Sequence, residues 1–143
     1  MEIIAIITTK NRTELFARAL QSVLSQTRRA DEIIVVTDST NENKAIEKRL
    51  IENSGVTILD DKNAHNYAGS LNTAIHYFLQ KNLFLQKDYK DTYIAFLDDD
   101  DIWLNTYLEK AEKSLRGEDF LVSGLIYCNE DGAKRLSIPQ ILS

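Results

Sequence analysis

Four consecutive aspartates, Asp98, Asp99, Asp100 and Asp101, are the residues of this sequence best placed to do chemistry. They directly follow the apolar residues 93–97, which predict a buried strand with acids at its carboxyl end. Four carboxylates this close repel one another strongly unless a cation or a donor-rich ligand balances them. In an extended chain Asp98 and Asp100 would face one side and Asp99 and Asp101 the other, so each pair is a candidate metal clamp. The run therefore predicts a site for a divalent metal and an anionic ligand.

The bulk composition is that of one globular domain. The chain has 143 residues, of which 43% are hydrophobic and 27% charged, enough for one sizeable core. Its formal net charge of -5 argues against a nucleic-acid partner, because phosphate neutralisation needs excess lysine and arginine. The lone Cys128 cannot form an internal disulfide, which favours a reducing compartment. No apolar run approaches membrane-spanning length, so we expect a cytoplasmic protein without a transmembrane segment, with a peripheral role at a membrane left open.

Apolar periodicity predicts alternating strands and helices along the chain. Short apolar runs predict five strands, at residues 3–7, 33–36, 56–59, 93–97 and 120–127. Helical stripes predict two helices, over about residues 16–24 and 71–79. Two more helices are predicted over about residues 43–53, stopped near Ser54 and Gly55, and over about residues 105–115, after the aspartate run. Asn11 is expected to cap the first helix, and residues 129–132 are expected to form a turn. This order predicts an α/β fold with a mostly parallel sheet and helices on both faces.

Polar side chains follow each of the first four predicted strands. They are Thr8 and Thr9, Asp38 with Ser39, Asp60 with Asp61, and the aspartate run. Each also has a simpler structural explanation. The hydroxyls could cap helices, and Asp38 could form a turn. Asp60 and Asp61 are expected to lie in a solvated turn. Open parallel sheets nevertheless bind ligands at the carboxyl ends of their strands. These strand ends are therefore predicted to meet at a ligand site.

The positions of the glycines exclude several nucleotide-binding folds and a calcium loop. A dinucleotide-binding fold and a P-loop both need a glycine-rich turn after a strand that opens the fold. The five glycines are elsewhere, at Gly55, Gly69, Gly117, Gly124 and Gly132. The aspartate run also lacks the alternating acids and the internal glycine of a helix-loop-helix calcium site. Among the nucleotide-binding folds considered, this leaves one that holds a diphosphate through a metal instead of a glycine-rich loop.

Four segments of the chain resemble a known family when they are taken together and in order. They are IITTKNR at residues 6–12, LQSVLSQT at 20–27, DEIIVV at 31–36 and FLDDDDIW at 96–103. These segments resemble the first strand and turn, the first helix, the second strand and the metal-binding segment of family 2 glycosyltransferases. The resemblance extends over about residues 3–116. It implies the N-terminal half of a GT-A (Rossmann-like) nucleotide-diphospho-sugar transferase fold.

The resemblance also implies residues for binding the donor. Asp38 matches the acid that reads the nucleotide base, and Thr8 and Thr9 match the turn beside the base and ribose. Asn72 matches an asparagine of the family's third helix, and it is expected to take part in donor binding. Since a carboxylate accepts a hydrogen bond from N3–H of uracil or thymine, we expect a UDP-sugar or dTDP-sugar donor rather than an adenosine one.

The family's metal motif falls on two of the four aspartates. Asp98 matches its first acid, near the ribose and the metal, and Asp100 matches the second acid, which coordinates the metal that bridges the diphosphate. The implied cofactor is Mn²⁺ or Mg²⁺, since hard divalent cations prefer oxygen ligands and leave positions for phosphate oxygens.

Some residues depart from the family's pattern. Thr37 stands where the family has a first acid on the second strand, and Ser39 stands where it has glycine. Leu71 replaces a common arginine before Asn72. Lys10 takes a place often held by an aromatic residue, and it could either carry positive charge near the phosphates or point to solvent.

The acceptor side of such an enzyme is not recognisable in this chain. In the family, the acceptor-binding region and the catalytic base lie beyond the metal motif. We therefore expect residues 1–143 to form one GT-A-like nucleotide-sugar-binding domain, apparently truncated, with the acceptor-binding half missing or incomplete and no identified catalytic base. The acceptor, whether a glycan, a lipid or a protein, is not specified.

Two functions remain open at this point. The chain is either the donor-binding part of an inverting glycosyltransferase or a non-catalytic nucleotide-diphosphate-binding or partner-binding module of the same fold. Exposed apolar residues at 120–127 would in either case favour self-association.

Overall fold

The structure is a computed structural model, and it describes residues 1–83, 88–128 and 134–137. The chain divides into two compact units, Met1–Glu109 and Lys110–Ser143. Within the described residues, no helix is long and apolar enough to cross a membrane.

The first unit is built on a parallel sheet of four strands. They are β1 (Glu2–Thr9), β2 (Glu32–Thr37), β3 (Thr57–Asp60) and β4 (Thr92–Asp98), in the spatial order β3-β2-β1-β4. The almost wholly apolar β1 lies inside the sheet, where a strand is covered on both faces. All three neighbouring pairs run parallel, so the predicted mostly parallel sheet is confirmed.

Helices cover both faces of this sheet. They are α1 (Thr13–Leu24), α2 (Asn41–Leu50) and α3 (Tyr67–Leu83), and a fourth helix, α4 (Tyr107–Ser114), spans the boundary between the two units. Successive β1 side chains alternate between two cores, because side chains of a strand point alternately to its two faces. Ile3 and Ile7 pack in one core with Phe16 of α1, whereas Ile6 packs in the other with Phe78 of α3. The α/β fold class predicted from periodicity is therefore confirmed.

The helix boundaries differ from the sequence prediction at capping residues. Asn11 does not cap α1, so that prediction was wrong; its φ is 54°, a left-handed conformation that asparagine tolerates. Its side-chain oxygen instead accepts hydrogen bonds from Thr40 N at 2.8 Å and Asn43 Nδ2 at 3.0 Å, at the start of α2. The α2 helix begins before residue 43, because the Thr40 hydroxyl caps it by accepting from Asn43 N.

The second unit contains a two-stranded antiparallel sheet. Its strands are β5 (Leu125–Cys128) and β6 (Lys134–Ser137). The predicted strand at 120–127 was too long, since residues 120–124 are not extended into the ladder, and β6 was not predicted. The predicted turn at 129–132 lies outside the described residues. Apolar side chains are exposed along this stretch: Phe120, Leu121, Val122, Leu125, Ile126 and Tyr127.

Candidate functional site

The carboxyl ends of the parallel strands meet at one edge of the sheet. In the strand register Thr8 of β1 lies opposite Asp98 of β4, and Thr9 lies opposite Thr37 of β2. An open cavity of about 350 Å³ lies at this edge. It is lined mainly by polar and charged side chains: Thr8, Thr9, Lys10, Arg12, Asp38, Asn66, Tyr67, Ser70, Asp98, Asp99 and Asp100.

The aspartate run does not stay extended past the end of β4. The chain turns at once, and Asp101 N donates a hydrogen bond to the Asp98 carbonyl at 3.1 Å. One carboxylate oxygen from each of Asp98, Asp100 and Asp101 consequently lies within 4.8 Å of the others. The expected pairing of Asp99 with Asp101 was wrong, because the alternation of an extended strand ends where the turn begins.

Asp99 turns inward and holds the end of β1 against the end of β4. Its buried carboxylate accepts hydrogen bonds from Thr9 Oγ1 at 2.9 Å, Lys10 N at 3.4 Å and Arg12 Nη1 at 3.2 Å. Three donors compensate the burial of this charge. Asp99 therefore fixes the turn after β1 in place and is not available as a metal ligand.

The three outward-facing carboxylates carry negative charge that their surroundings do not fully offset. Loss of hydration, and then the charges of Asp100 and Asp98, raise the pKa of Asp101 above its ordinary value. Loss of hydration, followed by a hydrogen bond to the Asp98 carboxylate, likewise raises the pKa of Tyr67. Three closely spaced carboxylate oxygens are hard donors of the kind that Mn²⁺ and Mg²⁺ prefer, so this set fits the implied metal.

One arginine contacts the aspartate run directly. The Arg12 side chain is about half exposed, and its Nη1 lies 3.2 Å from Asp99 Oδ1 and 3.1 Å from Asp100 Oδ2. Arg12 sits at the N-terminus of α1, directly after the turn that Asp99 fixes. The sequence analysis included Arg12 only within the segment that resembles the family. Its position just after a strand-end turn could also have indicated a basic group near the site.

The carboxylate of Asp38 is held by two cationic or basic groups. Lys10 Nζ donates to Asp38 Oδ2 at 2.7 Å, and His65 Nδ1 lies 2.9 Å from Asp38 Oδ1. The hydrogen bonds from Lys10 and then His65 lower the pKa of Asp38 below its ordinary value. Of the two possibilities for Lys10, the structure has it carrying its charge at the cavity rather than pointing away. His65 was missed, because nothing in its sequence neighbourhood links it to Asp38.

A buried glutamate supports the segment that carries Asp38. Both Thr37 Oγ1 and Ser39 Oγ donate hydrogen bonds of 2.6 Å to the carboxylate of Glu47 in α2, which is fully buried. Thr37 and Ser39 are the two residues that depart from the family's pattern at this strand end. The departure has a local reason, since the hydroxyls on either side of Asp38 satisfy the Glu47 carboxylate.

Asp61 is also buried, so its expected place in a solvated turn was wrong. It accepts hydrogen bonds from Ser70 Oγ at 2.9 Å, Thr73 Oγ1 at 3.2 Å and Asn63 N at 2.8 Å. These bonds join the loop after β3 to the first turns of α3 and place His65 near Asp38. Asp60 is exposed as expected, and a hydrogen bond from Lys44 lowers its pKa.

The structure brings five of the six predicted site residues to the cavity: Thr8, Thr9, Asp38, Asp98 and Asp100. Asn72 is the exception, because it is exposed on α3 and does not line the cavity. The structure adds Asp101 to the acidic side of the site and Lys10, Arg12 and His65 as its basic groups.

Comparison with known proteins places these features in a family. The model of the family described as "Glycosyl transferase family 2" matches residues 4–140. The chain is 30% identical over 99 residues to the UDP-Glc:alpha-D-GlcNAc-diphosphoundecaprenol beta-1,3-glucosyltransferase WfgD of Escherichia coli. That match covers 69% of this chain and 35% of the relative.

Two solved structures share the fold. The mannosyltransferase PcManGT from Pyrobaculum calidifontis, in complex with GDP-Man and Mn²⁺, has a TM-score of 0.63 at 22% identity, over 80% of this chain and 32% of that one. A structure of residues 1–349 of S. aureus TarS has a TM-score of 0.61 at 20% identity, over 82% of this chain and 33% of that one. The chain thus spans about a third of the length of the proteins it matches.

Proposed function

The chain belongs to glycosyl transferase family 2, and on that premise we propose that it binds a nucleotide-diphospho-sugar through a divalent metal and serves sugar transfer. The observation that carries the proposal is the meeting of Asp98, Asp100 and Asp101 with Thr8 and Asp38 at one edge of the sheet. A cluster of acids beside a polar cavity suits a ligand that is itself anionic, provided that a cation lies between them.

Asp98, Asp100 and Asp101 are the residues that would hold Mn²⁺ or Mg²⁺. When bound, such a metal acts as a Lewis acid and stabilises the charge of a departing nucleoside diphosphate. The donor set alone does not separate the two metals. The structural relative PcManGT is described with GDP-Man and Mn²⁺, which supports Mn²⁺ as the first metal to try.

The opposite side of the cavity supplies the groups for the nucleoside. Asp38 can accept a hydrogen bond from a base N–H, since Lys10 and His65 occupy only one position on each of its two carboxylate oxygens. A uracil or thymine ring offers one N–H at N3, which favours a UDP-sugar or dTDP-sugar. The name of the E. coli relative includes UDP-Glc, in agreement with this preference.

The reaction we propose is a single displacement with inversion. An acceptor hydroxyl loses its proton to a base and attacks the anomeric carbon, and the bond from that carbon to the diphosphate oxygen breaks. We assign the base to none of the described residues. Residues 1–143 are proposed to be a nucleotide-sugar-binding domain, with acceptor binding and the base in the part of the longer relatives that this chain does not cover.

A non-catalytic module is the second candidate. It would use the same acids at the strand ends, and no catalytic base is assigned among the described residues. Both candidates keep the donor site, so they differ only in turnover. Incubation with Mn²⁺ and a panel of nucleotide sugars separates them. Slow hydrolysis of one donor, with release of its nucleoside diphosphate, supports the transferase, whereas binding without turnover supports the module. No binding of any nucleotide sugar in Mn²⁺ would contradict both the transferase and the nucleotide-binding module, and would leave only a partner-binding module.

A further inference from the structure

We propose that Arg12 is a removable counter-charge for the metal site. In the metal-free protein it neutralises Asp100, and once Asp100 turns to the metal, Arg12 donates to the diphosphate of the donor. This inference rests on the proposed function, because it assumes a metal and a diphosphate in the same cavity.

The geometry gives Arg12 two unequal partners. A single nitrogen, Nη1, is shared between Asp99 Oδ1 at 3.2 Å and Asp100 Oδ2 at 3.1 Å. Asp99 is buried and held by Thr9 and Lys10 as well, so it is a fixed anchor. Asp100 is half exposed and lies beside Asp98 and Asp101, so it is the partner that can move.

The ion pair of Asp100 with Arg12 competes with coordination of a metal by Asp100. A carboxylate that ligates a divalent cation has less negative charge left for a guanidinium, and a nearby positive charge disfavours the cation in turn. Arg12 therefore lowers the affinity of the site for metal alone. It also relieves the repulsion among the acids when no metal is bound.

After its release from Asp100, the Arg12 guanidinium would still lie at the cavity, where a diphosphate could accept its hydrogen bond. The guanidinium stays anchored on Asp99, and it lines the same cavity as Asp98 and Asp100. Arginine carries five N–H donors in a planar fork that suits phosphate oxygens. An N–H that had served Asp100 can then donate to the anionic diphosphate without the whole side chain leaving its anchor.

This arrangement predicts effects of opposite sign in two titrations. Arg12→Met should tighten binding of Mn²⁺ alone by about threefold or more at low ionic strength, because a neighbouring positive charge is removed. The same variant should weaken UDP binding in saturating Mn²⁺ by about tenfold, because a charge-assisted hydrogen bond is lost. A purely structural role for Arg12 would weaken both.

The experiment measures free Mn²⁺ by electron paramagnetic resonance and UDP binding by isothermal titration. Arg12→Gln is a second variant, which keeps an N–H donor for Asp99 without the charge and should show the same pair of shifts. Arg18→Met is the matched control, since Arg18 is an exposed arginine of the same helix that does not line the cavity. The gain in Mn²⁺ affinity should shrink in high salt, because exposed charges are screened. Circular dichroism checks that each variant is folded.

The outcomes separate this inference from the proposed function. If the wild type binds neither UDP nor dTDP in the presence of Mn²⁺, the proposed function fails and the inference fails with it. If the wild type does bind, but both Arg12 variants bind Mn²⁺ no more tightly than it does, the competition is overturned while the proposed function stands. Unchanged UDP affinity in both variants would likewise overturn the role of Arg12 at the diphosphate.

Discussion

Adjacent aspartates of the same run have different surroundings and therefore different roles. Asp99 is buried among three donors and fixes the turn after β1, whereas Asp98, Asp100 and Asp101 remain exposed with their oxygens close together. The turn that starts at Asp98 produces this division. Charge repulsion is therefore concentrated in three carboxylates, on the side of the run that faces solvent.

We predict that Asp101→Asn stabilises the metal-free protein. The folded-state pKa of Asp101 is raised, so its ionisation costs stability, and that cost develops as the pH rises from 3.8 through the folded pKa. The variant should melt higher than the wild type by roughly 1–3 °C at neutral pH, and the gain should vanish below the ordinary aspartate pKa. Thermal melts across pH test this, with the exposed Glu52→Gln as the control. A variant that is less stable at neutral pH would rule out net repulsion at this site.

We predict that Asp38 selects the base of the nucleotide. Asp38→Ala should weaken binding of UDP in Mn²⁺ about tenfold or more, since a hydrogen bond to a charged group is lost. It should leave the weaker binding of ADP nearly unchanged, because Asp38 is not expected to read adenine. Competition titrations with UDP, dTDP and ADP measure both effects. Equal affinity of the wild type for all three nucleotides would contradict the assignment.

Sequence reasoning reached the site residues that lie at strand ends. Thr8, Asp38 and Asp98 follow apolar runs directly, and the parallel register brings such positions together whatever the loops do. Arg12 and His65 depend on turns and a loop, whose paths are set by tertiary hydrogen bonds. The hydrogen bond from Arg12 to Asp99 joins residues 87 positions apart, so the local sequence can suggest a basic group near the site but cannot identify its partner.

At the scale of elements, α2 acts on the site through a single buried side chain. Glu47 projects from α2 and accepts both hydroxyls that flank Asp38. The end of β2 and the residues that follow it are therefore fixed by a helix that contributes no side chain to the lining of the cavity. The sequence predicted this helix from its stop near Ser54 and Gly55. An acid within a helix is normally expected to face solvent, so the burial of Glu47 could not be predicted.

We predict that Glu47→Ala destabilises the protein by about 2 kcal/mol or more, because it leaves two buried hydroxyls without their acceptor. UDP binding should weaken as well, since Asp38 lies between Thr37 and Ser39. Glu47→Gln keeps the size and one acceptor oxygen, so it should cost less. Urea denaturation measures the loss. If Glu47→Ala were as stable as the wild type, the buried hydrogen bonds would not support this strand end.

The elements themselves were largely predictable, and their boundaries were not. Continuous apolar runs marked β1 and β2, because both faces of a parallel strand are covered. The start of α3 at Tyr67 escaped prediction, since polar side chains set it rather than an apolar stripe. Asn66 accepts a hydrogen bond from Gly69 N at 2.8 Å, and Asp61 accepts one from Ser70 Oγ at 2.9 Å. Gly69 also lies close to the preceding loop, because a Cβ there would lie 2.8 Å from Ala64 N.

At the scale of the whole molecule, the second unit presents much apolar surface. Among the residues of this unit that the structure describes, six large apolar side chains are exposed, and Phe120 is the most exposed of them at 78%. We predict concentration-dependent self-association through this surface. Sedimentation velocity at several concentrations tests it, and Phe120→Ser with Val122→Ser should reduce the association. A strictly monomeric wild type at high concentration would contradict the prediction.

The central claim is that an exposed carboxylate cluster binds a nucleoside diphosphate through a divalent metal. Isothermal titration of UDP into the protein, with Mn²⁺ and then with EDTA, tests it most directly when Asp100→Ala is measured beside the wild type. We expect the wild type to bind UDP only in Mn²⁺, and we expect Asp100→Ala to lose that binding while circular dichroism shows an intact fold. Metal-dependent binding of equal affinity in Asp100→Ala would contradict a metal-bridged site at this cluster.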